Sequence, residues 1–272
     1  MKKTVLITGA SSGIGKAAAL EFAQQGWQVA ATMREPEKES AFKNVANVHL
    51  FALDVTDEKS VQSTFKIVLE KFGKLDAVVN NAGYGVDGVF EAMSDEIIEK
   101  QYNTNVFGLM RVTREAIKHM REQKGGNIVQ ISSMGGRIAF PLFSIYHGTK
   151  WAVEGFTESL QYEVEQFNIR LKLIEPGAIK TEFYGRSRTF VQPNYTDDYK
   201  AFVNNADKIR HDAGQNGDTA EKVAKTIVKA ASDQSGKLRF PVGNPAPAVL
   251  LLRRLIPFSV WKAIVKMTYK SK

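Results

Sequence analysis

Residues 4–15, which read TVLITGASSGIG, indicate the fold class of this 272-residue chain. A short β-branched run is followed directly by three closely spaced glycines and then by a segment of helical composition. Glycines allow a tight turn and the close approach of a phosphate, and a helix N-terminus offers free N–H groups to a pyrophosphate. The spacing G-x-x-x-G-x-G differs from the common G-x-G-x-x-G. The stretch alone therefore predicts a strand, a turn and a helix, and a dinucleotide site only if other motifs agree.

Apolar runs of strand length alternate with segments of helical period along the chain. The predicted strands are residues 4–8, 28–32, 47–53, 75–80, 127–132, 169–175 and 238–242. Several have no polar face, as expected when helices cover both faces of a parallel sheet. The sequence therefore predicts an α/β fold: a single doubly wound Rossmann domain over residues 1–272, with a parallel sheet of about seven strands and helices on both faces.

Helices are predicted between these strands, and one segment fits neither pattern. The predicted helices are residues 16–25, 57–72, 95–121, 145–167 and 219–231. Residues 182–217 are polar and show no clear period, so we expect an irregular segment there. Because long loops in compact domains usually carry function, we interpret it as a substrate loop.

Composition excludes several classes of protein. The hydrophobic fraction of 43% and the charged fraction of 24% are ordinary globular values. The chain has no cysteine, which excludes disulfides, thiolate nucleophiles and cysteine-ligated metals. Its four histidines are not at ligand spacing, so no metal site is expected. The first apolar run stops at Gly9, and no run approaches the roughly 18 apolar residues of a membrane span. We therefore expect a cytoplasmic protein.

The positive charge is concentrated at the C-terminus. Residues 234–272 contain eight Lys or Arg and no Asp or Glu, which accounts for the whole net charge of +8. A neutral body with a basic tail is not typical of a nucleic-acid binder, so we expect no nucleic acid as a partner.

The tail, about residues 245–272, has the pattern of a basic amphipathic extension. A helix beginning after Pro257 would place four apolar side chains near one side and three lysines on the other. The apolar set is Phe258, Trp261, Ile264 and Val265, and the basic set is Lys262, Lys266 and Lys270. We favour packing of the apolar side on the enzyme or at a subunit interface. Peripheral contact with an anionic membrane is the alternative.

Further motifs follow the glycine-rich stretch in a fixed order. They are Asn80-Asn81-Ala82-Gly83, an interior Asn105, Ser132-Ser133, Tyr146-x-x-x-Lys150 and Pro176-Gly177-x-x-x-Thr181. Together with residues 8–15 they resemble the short-chain dehydrogenase/reductase family over residues 1 to about 240. The length and the C-terminal extension are most similar to bacterial hydroxysteroid and retinol dehydrogenase-like carbonyl reductases.

The resemblance implies a catalytic set of Asn105, Ser133, Tyr146 and Lys150. Reduction of a ketone builds negative charge on its oxygen, so a proton donor is required. A phenol ordinarily has a pKa of about 10, and a neighbouring ammonium group makes it more acidic. Lys150 lies one helical turn after Tyr146, on the same face, and can supply that charge. Ser133, thirteen residues before Tyr146, would donate a second hydrogen bond to the carbonyl. Asn105 would hold a water in a proton path, and we interpret His147 as structural.

The end of the second strand indicates the cofactor. A carboxylate there would accept the ribose hydroxyls of NAD, but Arg34 occupies this place, and a guanidinium suits a phosphate. We therefore predict NADP(H), with Thr32 or Ser12 as candidate further contacts, while Glu35 leaves NAD(H) as the alternative. The resemblance implies a set of dinucleotide-binding residues that comprises Gly9, Ser11, Ser12, Gly13, Ile14, Gly15, Arg34, Asp54, Val55, Asn81, Ala82, Gly83, Tyr146, Lys150, Pro176, Gly177, Ile179 and Thr181.

These residues together predict an oxidoreductase acting on a hydrophobic ketone or secondary alcohol. The expected apolar lining comprises residues 140–143, Val89, Phe90 and residues 183–190. A reductase of 3-oxoacyl thioesters is the enzymatic alternative. A non-catalytic dinucleotide-sensing protein is the other alternative, although Tyr146 and Lys150 are both retained. Members of the family suggest a homodimer or homotetramer.

Overall fold

The computed structural model describes residues 2–181, 188–191 and 197–270. Its strands are β1 (Thr4–Thr8), β2 (Gln28–Met33), β3 (Val48–Ala52), β4 (Ala77–Asn80), β5 (Gly85–Gly88), β6 (Gly126–Ile131), β7 (Ile169–Pro176), β8 (Ile179–Lys180), β9 (Arg188–Val191), β10 (Asp218–Thr219) and β11 (Arg239–Val242). Its α-helices are α1 (Gly13–Gln24), α2 (Glu58–Phe72), α3 (Asp95–Tyr102), α4 (Leu109–Glu122), α5 (Ser144–Val164), α6 (Lys200–Gln215), α7 (Ala220–Ser232), α8 (Ala246–Leu255) and α9 (Phe258–Thr268). A π-helical segment, Asn103–Gly108, joins α3 to α4.

Seven strands form one parallel sheet in the order β11-β7-β6-β4-β1-β2-β3. The chain builds outward from β1 through β2 to β3, then crosses back to β4 and continues through β6, β7 and β11 on the other side. Open α/β sheets bind ligands where the strand order reverses, in the crevice beyond the carboxyl ends of the strands. Here that crevice lies between β1 and β4. The predicted seven-stranded parallel sheet is confirmed.

Helices cover both faces of the sheet, and β1 shows why its sequence has no polar face. Val5 and Ile7 pack into a core cluster with α1 and α7. Leu6, between them, points the other way and packs with α2 and α4. Successive side chains of a strand alternate between its faces, so a doubly covered strand is apolar throughout.

Residues 182–217 are more regular than the sequence indicated. The described part contains β9, which pairs with β5, and the sixteen-residue helix α6. The prediction of an irregular segment is therefore wrong for these residues. Helix α6 buries Val203, Ala206 and Arg210, spaced at i, i+3 and i+7. Because an arginine occupies one position of this buried stripe, the helical period is hidden in the sequence. Residues 182–187 and 192–196 lie outside the described residues.

The C-terminal extension forms two helices. The helix predicted after Pro257 is confirmed as α9, whereas α8 was not predicted. Trp261 of α9 and Leu250 of α8 are buried in a cluster with Ile138. In the part of the chain that the structure describes, every helix is too short or too polar to cross a bilayer.

Candidate active site

The glycine-rich turn connects β1 to α1 at the carboxyl edge of the sheet. Gly9 has φ +67°, a conformation that favours glycine. A Cβ on Gly15 would lie 2.3 Å from the carbonyl oxygen of Gly9, so only glycine fits there. Ser12 is extended and precedes α1 without a side-chain cap. The first N–H groups of a helix lack partners within it, and the uncapped start of α1 is therefore suited to a pyrophosphate.

A second motif is tied directly to this turn. The hydroxyl of Thr8 accepts hydrogen bonds from the backbone N–H groups of Asn81 and Ala82, both at 3.0 Å. The side-chain amide of Asn81 donates to the carbonyl oxygens of Thr8 and Gly9, also at 3.0 Å. The segment after β4 is thereby fixed against the turn after β1, across the crevice.

The remaining predicted cofactor residues lie along the same edge. Ile14 is partly buried and packs against the core. Asp54 accepts hydrogen bonds from the N–H and hydroxyl of Thr56 at 2.9 and 2.7 Å. Arg34 is exposed and lies one residue beyond the end of β2. Ser11, in the turn after β1, is exposed too. Contact of these residues with a cofactor stays a prediction.

The end of β7 approaches the same turn from the opposite side. Pro176 is the last residue of β7, and Ile179 is buried in β8. A Cβ on Gly13 would lie 3.6 Å from the Cβ of Thr181, so Thr181 faces the start of α1. Gly177 is packed closely against the backbone of the loop that follows β11.

Asn105 lies in the π-helical segment, where its side chain is buried. Its amide donates to the carbonyl oxygen of Tyr84 at 2.9 Å, and its amide oxygen accepts from the N–H of Tyr84 at 3.1 Å. A Cβ on Gly83 would lie 3.1 Å from that oxygen. Val55 packs against Gly108, at the other end of the segment. The side chain of Asn105 therefore fixes the loop after β4, and its role toward a water stays a prediction.

Tyr146 and Lys150 share one face of α5, as their spacing predicts. The Lys150 Nζ atom lies 5.7 Å from the centroid of the Tyr146 ring and donates to the carbonyl oxygen of Ile131 at 2.8 Å. Burial lowers the pKa of the Lys150 ammonium to about 8, although the negative charge of Glu154 acts to raise it. An ammonium group that remains charged at neutral pH is thus held beside a half-buried phenol.

The two serines after β6 occupy different environments. Ser132 is buried, whereas Ser133 is partly accessible and accepts a hydrogen bond from the N–H of Gly135 at 3.0 Å. His147 is buried, and burial lowers its pKa to about 4. Its Nδ1 atom accepts from the N–H of Phe140 at 3.3 Å. A neutral, buried imidazole of this kind fits the structural role expected for His147.

The predicted apolar lining is only partly brought together. The Phe140 ring lies 6.3 Å from Trp261 of α9, and the Phe143 ring lies 6.2 Å from Tyr146. Phe90 is exposed, and residues 183–187 lie outside the described residues. Phe190 instead packs between two guanidinium groups.

A buried acid pair, which the sequence did not predict, lies behind the catalytic residues. Glu154 lies one turn after Lys150 and is 5% exposed, and Glu175, near the end of β7, is fully buried. The Arg239 Nε atom lies 3.1 Å from Glu154 and 3.4 Å from Glu175, and Arg137 reaches Glu175 at 3.5 Å. Burial, followed by the charge of Glu154, raises the pKa of Glu175 to about 7. The only signal in the sequence is a charged residue within an apolar strand.

Replacing Glu175 with Gln is expected to remove a pH dependence of stability. The folded-state pKa of Glu175 is about 7, against an ordinary value of 4.5. The contribution of Glu175 to the free energy of unfolding is therefore fully present below pH 4.5. It is lost as the pH rises through 7, a change of up to about 3 kcal/mol. The free energy of unfolding of the variant, minus that of the wild type, should therefore be larger at pH 8 than at pH 5. Urea unfolding at the two pH values measures it. Glu158→Gln is the control, since Glu158 also pairs with Arg239 but is half exposed. An unchanged difference at the two pH values would contradict the expectation.

A second missed cluster joins β5 to the segment that follows β8. Asp87 is fully buried and accepts from the Nε and Nη2 atoms of Arg188 at 2.6 and 2.9 Å. Arg210 of α6 donates to the same carboxylate and also pairs with Asp207. One carboxylate therefore holds β9 and α6 against the strand that follows the Asn-Asn-Ala-Gly motif.

The residues present fit a nicotinamide dinucleotide. The uncapped helix start, the glycines that permit close approach and the Thr181 side chain all face one crevice. Among the described residues, no group of three or more His, Asp or Glu side chains could hold a metal ion.

Known proteins show the same sequence pattern. The family model for short chain dehydrogenase matches residues 3–191. An uncharacterized oxidoreductase of Bacillus subtilis, YusZ, is 38% identical over 97% of this chain and 98% of its own. The 3-ketodihydrosphingosine reductase of Bacteroides thetaiotaomicron is 33% identical over 88% of this chain and 87% of its own.

Solved structures share the fold. A short-chain dehydrogenase from Streptomyces avermitilis superposes with a TM-score of 0.83 at 32% identity, covering 98% of this chain and 96% of that one. ElxO with NADP bound gives 0.72 at 32% identity, over 89% and 98% of the two chains. A 3-ketoacyl-(acyl-carrier-protein) reductase from Brucella melitensis complexed with NADH gives 0.75 at 25% identity, over 90% and 98%.

Proposed function

Because the chain belongs to the short-chain dehydrogenase/reductase family, we propose that it transfers a hydride between NADP(H) and a hydrophobic ketone or secondary alcohol. The observation that carries the proposal is the placement of Tyr146 beside the buried ammonium group of Lys150. This pair lies at the edge of the sheet where the glycine-rich turn and the Asn-Asn-Ala-Gly motif meet.

Each catalytic residue has a distinct task in this proposal. The Tyr146 hydroxyl gives its proton to the carbonyl oxygen during reduction and takes one from the alcohol during oxidation. The Lys150 ammonium stabilises the resulting phenolate. Ser133 donates a hydrogen bond to the oxygen that gains charge. The nicotinamide, when bound, supplies or accepts the hydride, while Asn105 keeps the loop after β4 in place.

The preference for NADP(H) rests on the end of β2. Arg34 is exposed there, and a guanidinium pairs well with a ribose phosphate. The NADP-bound structure of ElxO supports this assignment, and the NADH-bound Brucella structure keeps NAD(H) as the alternative.

Arg34→Asp is expected to shift the cofactor preference toward NADH. Loss of a charge-assisted pair costs about 1.5–3 kcal/mol, so the KM for NADPH should rise by roughly one to two orders of magnitude. The measurement is the ratio of kcat/KM for NADPH and NADH with one ketone. Lys66→Asp, which makes the same charge change on an exposed side chain of α2, is the control. An unchanged ratio for Arg34→Asp would exclude the phosphate contact.

A hydrophobic substrate is supported by the aromatic ring of Phe143, which lies 6.2 Å from that of Tyr146. The similarity to a 3-ketodihydrosphingosine reductase is consistent with a long-chain ketone. The likeness to a 3-ketoacyl-(acyl-carrier-protein) reductase favours a second candidate, reduction of 3-oxoacyl thioesters.

Consumption of NADPH with a panel of ketones tests the proposal. The panel includes steroid, retinoid, aryl and long-chain ketones together with a 3-oxoacyl thioester. Turnover of an apolar ketone supports the first function, and turnover of the thioester alone supports the second. Cofactor binding without turnover of any carbonyl compound would contradict both candidate functions and favour a non-catalytic dinucleotide-sensing protein.

We further propose a single domain that assembles as a homodimer or homotetramer. Three large apolar side chains are exposed on the π-helical segment and on α5: Phe107, Trp151 and Tyr162. Exposed aromatic residues of this kind are enriched at protein interfaces.

A further inference from the structure

The two C-terminal helices, α8 and α9, carry an exposed apolar face. Six of the eleven exposed large hydrophobic side chains among the described residues lie within residues 251–267: Leu251, Leu252, Leu255, Phe258, Val260 and Met267. Phe258 lies nine residues before Met267, about half a turn around α9 from it, and so close to the side of Trp261. Leu255 and Met267 are 71% and 72% exposed. A cluster this dense on a surface usually marks an interaction site. We call these side chains, without Phe258, the outer apolar face.

A different side of the same helices packs on the enzyme. Trp261 is buried, and Val265 is partly buried against the same cluster. That cluster includes Met134 and Phe140, which lie between Ser133 and Tyr146 in the chain. Packing on the enzyme, as favoured from the sequence, therefore accounts for Trp261 and leaves the outer apolar face uncovered. The two helices therefore lie between the outer apolar face and the loop that connects two catalytic residues.

Cations flank the outer apolar face. Arg254, Lys262, Lys266 and Lys270 are exposed on the two helices and just beyond them. Residues 234–272 contain no acidic side chain. Within the described residues, no carboxylate forms an ion pair with these four cations. An apolar surface flanked only by positive charges suits a partner with an apolar interior and an anionic surface.

We propose that the outer apolar face docks on the surface of an anionic lipid bilayer. Apolar side chains enter the boundary between headgroups and acyl chains, and the cations contact the anionic headgroups. A second copy of the chain fits less well. In a two-fold interface the same face meets itself, so the lysines and arginines would meet like charges. If the proposed function holds, docking would place the enzyme at the source of a lipid-like ketone.

Sedimentation of the full chain with vesicles tests this proposal. We expect it to pellet with vesicles of phosphatidylcholine and phosphatidylglycerol in equal parts, and much less with phosphatidylcholine alone or at high salt. Lys262→Gln/Lys266→Gln should weaken vesicle binding roughly tenfold or more, since each cation near an anionic surface contributes about fivefold. Leu255→Ser/Val260→Ser/Met267→Ser should abolish it. Lys66→Gln/Ile67→Ser on α2 is the matched control and should bind as the wild type does.

Two further measurements keep the result interpretable. Unfolding curves establish whether the variants fold. If the apolar variant does not fold, the lysine variant decides the outcome. Equal pelleting of wild type and variants, or no pelleting of the wild type, would overturn the proposal. A change of oligomeric state in the apolar variant, without any vesicle effect, would instead assign the face to a second copy. Vesicle binding is measured without substrate or cofactor, so its failure would leave the proposed reaction untouched.

Discussion

Tyr146→Phe is expected to lower the rate of ketone reduction by about 10²–10⁴-fold, the usual contribution of a positioned acid. The phenylalanine ring keeps the packing against Phe143 and removes only the hydroxyl that gives the proton. Binding of NADPH should change little, because the substitution leaves Lys150 and the glycine-rich turn intact. Stopped-flow reduction and fluorescence titration of NADPH measure the two quantities separately.

Two comparisons sharpen this result. Tyr162→Phe removes a hydroxyl from an exposed position of the same helix and should leave the rate unchanged. Ser133→Ala should lower the rate strongly, whereas Ser132→Ala should not, because only Ser133 is accessible from the crevice side. If Tyr146→Phe kept more than about a tenth of the wild-type rate, the assignment of Tyr146 as the acid would be wrong.

The sheet was predictable because its strands are short, apolar and separated by helices. Val5, Leu6 and Ile7 are all buried, so β1 reads as an uninterrupted apolar run. The turn after it must contain glycine at positions 9 and 15 for steric reasons. Local sequence thus carries both the strand and the close backbone approach that follows it.

The missed features depend on contacts between distant residues. Glu154 and Glu175 lie on α5 and β7, and Arg239 comes from β11, so no local spacing reveals their cluster. The sequence grouped Phe258 with Trp261 on one side of α9, but only Trp261 is buried and Phe258 is exposed, because the contact is made with a loop distant in the chain. Helix α6 was hidden because Arg210 occupies a buried position that is usually apolar.

Asp87→Asn is expected to destabilise the segment formed by β9 and α6 by about 3–5 kcal/mol. Asp87 is fully buried and faces Arg188 and Arg210, so the neutral amide would no longer balance the charge of two guanidinium groups. Removing one partner of a buried ion pair leaves an uncompensated charge, and that desolvation cost is the main part of the loss. Hydrogen exchange of the α6 amides should become faster by at least about a hundredfold, and urea unfolding reports whether the sheet is affected.

Two further variants separate the cost of uncompensated charge from the cost of the substitution itself. Asp212→Asn, at an exposed position of the same helix, should leave exchange unchanged. Adding Arg210→Met to Asp87→Asn removes one of the two guanidinium groups that lose the charge of Asp87, so the double variant should be more stable than Asp87→Asn alone. Because α6 contacts the segment that carries Thr181, loosening it should also raise the KM for the ketone more than it lowers kcat. Unaltered α6 exchange in Asp87→Asn, or a double variant less stable than the single one, would show that this carboxylate does not hold the segment in place.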